Sequence, residues 1–308
     1  MKKFNKHYLM LALLIFVYAA FIIQVPLGSN GAIERYKLQD SQARLLSLTI
    51  VIPYAVIWYT AFFGFVKVKQ YAYLVGKGKD GKALRIISDG LMLLAFSLPL
   101  NALASTIRNY INTEYPSLTP TTTIIYTYFS LALTLAGVWL VSHGARKLAG
   151  TLEKKPYSLN QTFIASAFTA FCIFYTYVTL NDPARETGRG LSQTSSYYLP
   201  DFLVLSTIVV PYIILWYLGF RAAYHIQLYR KNAPGVLYKK ALGYLAAGIA
   251  FVVVSLMILR LTTSMSTFLS DLSLQYLLAF VYLLLVIIGV GYGLIASGAK
   301  RLKKIEEV

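Results

Sequence analysis

Residues 49–59 read TIVIPYAVIWY, and residues 207–217 read TIVVPYIILWY, 158 positions later. Each string places a proline inside an apolar run, with a threonine four residues before it and a tyrosine and a tryptophan after it. A chain of 308 residues that repeats such a string about half its own length apart predicts a duplicated structural unit.

The duplication extends well beyond these two strings. In the third and seventh apolar segments, residues 82–84 (KAL) recur as residues 240–242 at the same offset of 158. In the fourth and eighth segments, residues 144–148 (GARKL) recur as residues 298–302 (GAKRL) at an offset of 154. The second copy has therefore lost four residues from the connection between its third and fourth segments.

The segments predict two tandem four-helix units, residues 1–155 and residues 156–308. Because four is an even number, each unit begins and ends on the same side of a membrane. The two units are therefore expected to have the same orientation, related by a pseudo-twofold axis along the membrane normal.

The composition excludes an ordinary soluble protein. Hydrophobic residues make up 57% of the chain and charged residues only 13%. Apolar segments of about 20 residues recur, the length that a helix needs to cross a hydrocarbon core of about 30 Å. The predicted class is an all-α integral membrane protein with eight transmembrane helices. They lie at 8–27, 45–66, 86–107, 121–143, 162–181, 199–220, 241–262 and 274–297.

The net charge of +17 is unevenly distributed. With the N-terminus assigned to the cytoplasm, the inner segments contain 22 Lys and Arg residues and the outer segments contain 7. This asymmetry predicts that both termini are cytoplasmic and that the protein lies in the cytoplasmic membrane. The basic inner loops would face anionic lipid headgroups. Since no soluble folded module accompanies the charge, a nucleic-acid partner is not expected.

The repeated proline predicts matched irregularities in helices two and six. Proline lacks an N–H and clashes with the carbonyl four residues earlier, which belongs to Thr49 for Pro53 and to Thr207 for Pro211. A threonine hydroxyl can occupy backbone groups freed in this way. Both helices are therefore expected to bend at the threonine.

Two aromatic pairs follow the prolines, each with a spacing of four that places both rings on one helix face. These pairs are Tyr54 with Trp58 and Tyr212 with Trp216. One interpretation is that the threonines, prolines and aromatic pairs line a central pathway. The other is that they form packing seams between the two units, because aromatic residues at helical spacing are usually core residues.

Arg260 is a second candidate, near the outer end of the seventh helix. It either extends to the outer headgroups or points inward, where it would dock an anionic group with Asn101 opposite it. Asp89 lies four residues after Arg85 and is expected to pair with it locally. The scarcity of other acidic residues in the spans disfavours a proton relay.

Small residues at fixed spacing predict close helix contacts in lipid. Such contacts are expected within the chain, and a homo-oligomer seam is the alternative. The candidate packing residues are Gly137, Gly144, Gly289, Gly293 and Gly298.

No catalytic role, metal site or cofactor is predicted. The chain has no paired histidines at helical spacing, no phosphate-binding loop and no metalloprotease or nucleophile-elbow motif. Two functions agree with the sequence. One is a transporter or permease for a small neutral or anionic solute. The other is a non-catalytic membrane subunit or scaffold that binds lipid or the helices of a partner protein.

Overall fold

The computed structural model describes nine stretches of the chain, and every regular element in them is helical. These stretches are residues 9, 11–17, 19, 40–76, 78–150, 159–181, 205–233, 235–264 and 274–304. The helices are α1 (the described residues between 9 and 19), α2 (Asp40–Leu74), α3 (Lys79–Glu114), α4 (Thr119–Ala149), α5 (Leu159–Asn181), α6 (Val210–Asn232), α7 (Val236–Ser264) and α8 (Leu274–Lys304). A 3₁₀ turn, Pro116–Leu118, joins α3 to α4, and a π turn, Leu205–Val209, leads into α6.

The predicted all-α class is confirmed, and five of the described helices have the length and apolarity needed to cross a membrane. These are α2, α3, α4, α7 and α8. In α5 the apolar stretch Ala165–Leu180 is shorter, and much of the first predicted span lies outside the described residues. Helix α6 begins only at Val210, so its remaining length includes the polar stretch that starts at Arg221. The apolar helices indicate an integral membrane protein.

The outer surface of these helices is apolar, as contact with lipid tails requires. Large aliphatic side chains project from several helices, including Ile52 (66% exposed), Ile125 (63%) and Val286 (60%). An exposed apolar surface spread over several helices would be a liability in water, so it supports immersion in a bilayer.

Six helices pack side by side in a closed ring in the order α2, α3, α4, α6, α7, α8, with α8 returning to α2. Helix α5 lies outside this ring against α6. There Phe168 meets Phe220 at 5.7 Å and Phe171 meets Trp216 at 5.5 Å between ring centroids. The ring has a buried core of aliphatic and aromatic side chains contributed by both halves of the chain.

Two helix pairs in the ring approach through glycine. A Cβ built on Gly90 of α3 would lie 2.7 Å from the carbonyl oxygen of Gly137 of α4. A Cβ on Gly248 of α7 would lie 2.6 Å from the carbonyl oxygen of Gly291 of α8. Such backbone contact is possible only where a side chain is absent, and in lipid it supplies much of the attraction between helices.

One end of the ring, the basic end, contains the α2–α3 and α6–α7 connections and the C-termini of α4 and α8. Here the Tyr229 hydroxyl of α6 donates a hydrogen bond of 2.7 Å to the Asp80 carboxylate of α3. Burial and this bond raise the pKa of Tyr229 to about 12, so its hydroxyl stays protonated at neutral pH. The Tyr71 and Tyr238 rings lie 6.2 Å apart beside it. Side chains from both halves of the chain therefore close the basic end.

The expected pairing of Asp89 with Arg85 is wrong. The Asp89 carboxylate lies 3.6 Å from the Lys69 ammonium of α2. Arg85 instead stacks on the Tyr73 ring at 4.8 Å and donates to the carbonyl oxygen of Gly76. The physical reason is that the α2–α3 connection brings α2 side chains within reach of α3, which a spacing rule within one helix does not consider.

We expect Gly248→Ala to destabilise the protein by about 1–3 kcal/mol, the usual cost of overpacking, because its methyl group would meet the Gly291 backbone. Gly293→Ala is the matched control on α8, since a Cβ there meets no atom within 4 Å. The unfolding temperature of the purified full chain in detergent measures both. Equal unfolding temperatures for the two variants would contradict the glycine contact.

Candidate functional site

The two aromatic pairs have nearly the same geometry in the two halves of the chain. The Tyr54 and Trp58 rings lie 5.8 Å apart, and the Tyr212 and Trp216 rings lie 6.1 Å apart, each with an interplanar angle of 41°. Both tryptophans are fully buried. The spacing of four therefore brings each pair together on one face that is directed into the protein.

The next residue in each string lies on the opposite side. Tyr59 is 54% exposed and Tyr217 is 53% exposed. Both phenols belong to the outer surface of the ring. The repeated string thus presents one aromatic face to the core and one to the surroundings.

The two prolines occupy different local structures. Helix α2 is assigned as α-helix through Pro53, and the Thr49 hydroxyl lies 2.6 Å from the hydroxyl of Tyr282 of α8. In the second copy the π turn Leu205–Val209 immediately precedes the α-helical turn that holds Pro211. A π turn is a recognised cause of helix bending. The side chain of Thr207 lies outside the described part of the structure.

Arg260 is directed toward neighbouring helices. Its Nε donates to the Tyr175 hydroxyl of α5 at 3.3 Å, and its guanidinium lies over the Tyr212 ring of α6 at 4.8 Å. The side chain is partly buried. Tyr126 of α4 is within electrostatic range of it. The arginine of α7 is therefore held by tyrosines from other helices.

The middle of the ring is apolar and nearly filled. It contains a cavity of about 10 Å³, lined by side chains of α3, α4, α6, α7 and α8 that include Leu94 and Val253, with Gly219 at its α6 wall. A cavity of this volume holds at most one water molecule, and an apolar lining gives such a water no partners. The centre of the ring in this conformation is closed to solutes.

Three polar candidates lie above this cavity on the same helix faces. Asn101 follows Leu94 by seven residues, Arg260 follows Val253 by seven, and Tyr212 precedes Gly219 by seven. Seven residues are close to two helical turns, a rise of about 10 Å. The three side chains therefore lie about two turns from the cavity, toward the end opposite the basic end.

The contacts described at this opposite end involve two arginines, Arg108 and Arg260. Arg260 has no carboxylate partner among the described residues, and the Asn101 Oδ1 is buried without a hydrogen-bond partner within the same ranges. The guanidinium of Arg108 lies 4.7 Å from the Tyr126 ring centroid on the α3–α4 side. We name the group of Tyr175, Tyr212 and Arg260 the arginine site, and Asn101 lies at a similar height on α3. The site combines a cation that has no described carboxylate partner with tyrosine side chains, which suits an anion.

The described stretches contain no cluster of His, Cys, Asp and Glu that could hold a metal ion. Tyr175 belongs to the arginine site, Tyr126 lies by Arg108 and Tyr282 contacts Thr49, and none of the three was among the sequence candidates. The sequence contains a signal for Tyr175. Pro183 follows Pro26 by 157 residues, and at the same offset Tyr175 aligns with Tyr18, so the repeat places a tyrosine at this position twice.

The candidate glycines differ in their surroundings. A Cβ on Gly144 or Gly298 would lie 2.7 Å from an atom of the neighbouring helix, and one on Gly137 would lie 2.8 Å away. A Cβ on Gly289 would be in ordinary contact, 3.6 Å from Ile57, and one on Gly293 would meet nothing within 4 Å. The pair of glycines four residues apart in α8 is therefore not the close contact of that helix.

Comparison with known proteins gives no match. No family model matches the chain. No curated protein and no solved structure matches it either.

We expect Trp216→Ala to lower stability strongly and Tyr217→Ala to have little effect. Truncation of a large core aromatic costs about 3–5 kcal/mol in soluble proteins, and Trp216 is fully buried. Tyr217 is the matched neighbour because half of its side chain is exposed. Thermal unfolding of the full chain in detergent measures the difference. A milder effect for Trp216→Ala than for Tyr217→Ala would show that the helix face is assigned incorrectly.

Proposed function

We propose that the protein is a membrane permease for a small anionic solute, which binds at the arginine site. The observation that carries this proposal is the position of Arg260. It is held between the Tyr175 hydroxyl and the Tyr212 ring without a described carboxylate, two turns above the centre of the ring. A charged side chain within a transmembrane helix is costly and usually serves a substrate or ion.

An anion is favoured over a neutral solute by charge balance. A guanidinium that is partly removed from water gains most from a negative partner, and a carboxylate or similar planar anion can accept two of its hydrogen bonds. The Tyr175 hydroxyl supplies a further donor, whereas the unpartnered Asn101 Oδ1 is an acceptor and gives no support to an anion. Asp80 and Asp89 are the described acidic residues nearest the middle of the helices, and both lie at the basic end. Asp80 accepts a hydrogen bond from Tyr229, and Asp89 pairs with Lys69.

The packing of the ring supports the two-unit organisation that this proposal needs. The order of helices in the ring is unchanged when α2, α3 and α4 are exchanged with α6, α7 and α8. Under this exchange the contact of α8 with α2 becomes the contact of α4 with α6. The glycine contact of Gly90 with Gly137 also has its counterpart in Gly248 with Gly291. These correspondences support two parallel repeats related by a pseudo-twofold axis through the middle of the ring.

Transport requires that the conformation described here opens. The apolar centre blocks a solute in the middle, and the Tyr229–Asp80 hydrogen bond joins the two halves at the basic end. Movement of one unit against the other would break this bond and expose the arginine site to the other side of the membrane. With both termini in the cytoplasm, as the charge asymmetry favours, the basic end faces the cytoplasm.

One observation favours the second candidate, a non-catalytic scaffold that binds lipid or partner helices. Trp58 and Trp216 are fully buried, and Trp216 packs against Phe171 and Tyr175 of α5, so these faces of α2 and α6 act as packing surfaces in this conformation. A scaffold would remain closed, whereas a permease must open. The two functions are therefore separated by whether water and solute ever reach the arginine site.

Accessibility is the first measurement. In a Cys172→Ala background, we expect Asn101→Cys to react with a small water-soluble maleimide in intact membranes, because a working permease exposes that position. Leu94→Cys, two turns deeper on the same face, is the matched control and is expected to react more slowly. Complete protection of Asn101→Cys in a folded variant would favour the scaffold.

Flux is the second measurement. The purified full chain in liposomes is expected to carry at least one of chloride, nitrate, acetate, lactate or phosphate faster than protein-free liposomes, as followed by stopped-flow light scattering. Arg260→Gln should lower that flux at least about tenfold, the effect of losing about 1.4 kcal/mol of binding or barrier stabilisation. Arg108→Gln is the control because it removes the other described arginine of this end from outside the site. Equal flux in Arg260→Gln and the native chain would disprove the assigned site.

A further inference from the structure

A second cationic site lies at the basic end, in the seam between α4 and α6. The Nε of Arg221 donates to the Nε2 of His225, one turn later on α6, at 3.5 Å. The Nδ1 of His225 is buried and has no hydrogen-bond partner in the described part of the chain. Since Nε2 accepts a hydrogen bond, the neutral ring carries its proton on Nδ1. This N–H is a buried donor without a described acceptor.

The positive charge of the seam is doubled by α4. Arg146, in the last turn of α4, is close enough to act on His225 electrostatically. Burial, Arg221 and Arg146, in that order, lower the pKa of His225, so the ring is neutral at neutral pH. The described carboxylates of the basic end contact other groups, Asp80 with Tyr229 and Asp89 with Lys69. Two guanidinium groups and one N–H donor thus belong to this seam, and the one acceptor described for them is the His225 Nε2 that receives the Arg221 bond.

The outer side of the seam has the features of a membrane interface. Trp139 of α4 is 53% exposed and stacks on His143 at 5.5 Å with an interplanar angle of 9°. Trp139, His143 and Arg146 are spaced four and three residues apart, so they share one face of α4. Tyr224 of α6 is 45% exposed beside the seam. Exposed Trp and Tyr next to basic residues are typical of headgroup depth.

We propose that this seam, formed by Trp139, His143, Arg146, Arg221 and His225, binds the phosphate headgroup of an anionic phospholipid. The two arginines donate to the phosphate oxygens, and the Nδ1–H of His225 supplies a third donor. Trp139 lies against the glycerol and upper acyl region. A lipid is favoured over free phosphate because the seam opens onto the apolar outer surface of the ring, where Trp139 is exposed.

The other half of the chain contains a natural comparison. The offsets of 154 and 158 align the α4–α6 seam with the α8–α2 seam, where the equivalent residues are Gly293, Ser297, Lys300, Phe63 and Lys67. That seam has lysines in place of arginine and histidine, and no tryptophan. Its Lys67 ammonium lies over Phe63 at 5.4 Å and donates to Gln70. The second seam keeps the positive charge but lacks the arginine fork, the histidine donor and the interfacial tryptophan.

The test uses the full chain in phosphatidylcholine vesicles that contain a minor fraction of phosphatidylglycerol. Bromine is placed on the acyl chains of one lipid at a time, and quenching of tryptophan fluorescence is compared at the same mole fraction. Brominated phosphatidylglycerol should quench more than brominated phosphatidylcholine. Arg146→Gln and Arg221→Gln should each reduce the preference for phosphatidylglycerol about fivefold, the factor for ~1 kcal/mol per basic residue near an anionic surface.

The controls separate this site from general attraction to charge. A Lys67→Gln/Lys300→Gln variant removes the same charge from the other seam and should keep the preference. Trp139→Phe should remove the quenching difference, which identifies the reporter. If one of the two arginine variants does not elute as a folded protein, the other gives the result.

Three outcomes would overturn the proposal. The first is equal quenching by both brominated lipids. The second is an equal loss of the preference for phosphatidylglycerol in the lysine and arginine variants. The third is complete loss of that preference when free inorganic phosphate is added. The last outcome would assign the seam to a soluble anion. Because the assay measures lipid contact and no flux, its failure leaves the proposed permease function untouched, and the converse also holds.

Discussion

The architecture depends on the close approach of helix backbones at glycine. In lipid, apolar side chains gain little by leaving one apolar environment for another, so helices associate mainly through short-range packing. Gly90 against the carbonyl of Gly137 and Gly248 against that of Gly291 bring two helix pairs, α3–α4 and α7–α8, into direct backbone contact. Helices α2 and α6 occupy the two remaining places in the ring. Helix α2 lies between α8 and α3, and helix α6 lies between α4 and α7.

This constraint explains why the aromatic strings point where they do. Once α2 and α6 are fixed between two tight pairs, only one face of each helix meets the core. Trp58 and Trp216 occupy that face and are fully buried, whereas Tyr59 and Tyr217 are turned outward. Trp216 packs there against Phe171 and Tyr175 of α5, and Trp58 packs against Tyr54 of its own helix.

Much of the fold could be predicted from sequence because helices in a bilayer obey local rules. Length, apolarity and the spacing of four within the aromatic pairs depend on a single helix, and the predicted all-α class is confirmed. Contacts between helices were harder to foresee. Asp89 pairs with Lys69 of another helix and not with Arg85, and Arg260 lies against Tyr175, a residue 85 positions away. The glycine pair of α8, Gly289 and Gly293, makes no close contact within the described chain, since a Cβ on Gly293 would meet nothing within 4 Å.

The π turn before Pro211 gives the two halves different mechanical properties. Helix α2 passes Pro53 as an α-helix, while the chain enters α6 through a wider turn, Leu205–Val209. A π turn is a recognised site of helix bending, and in α6 it adds to the effect of the proline that both helices contain. Of the two helices that contain the repeated proline, α6 therefore has the additional site of bending. Tyr212, whose ring lies against the Arg260 guanidinium, comes directly after this turn. Bending at the turn would therefore move the Tyr212 ring relative to Arg260, whereas Tyr54 of α2 would stay in place.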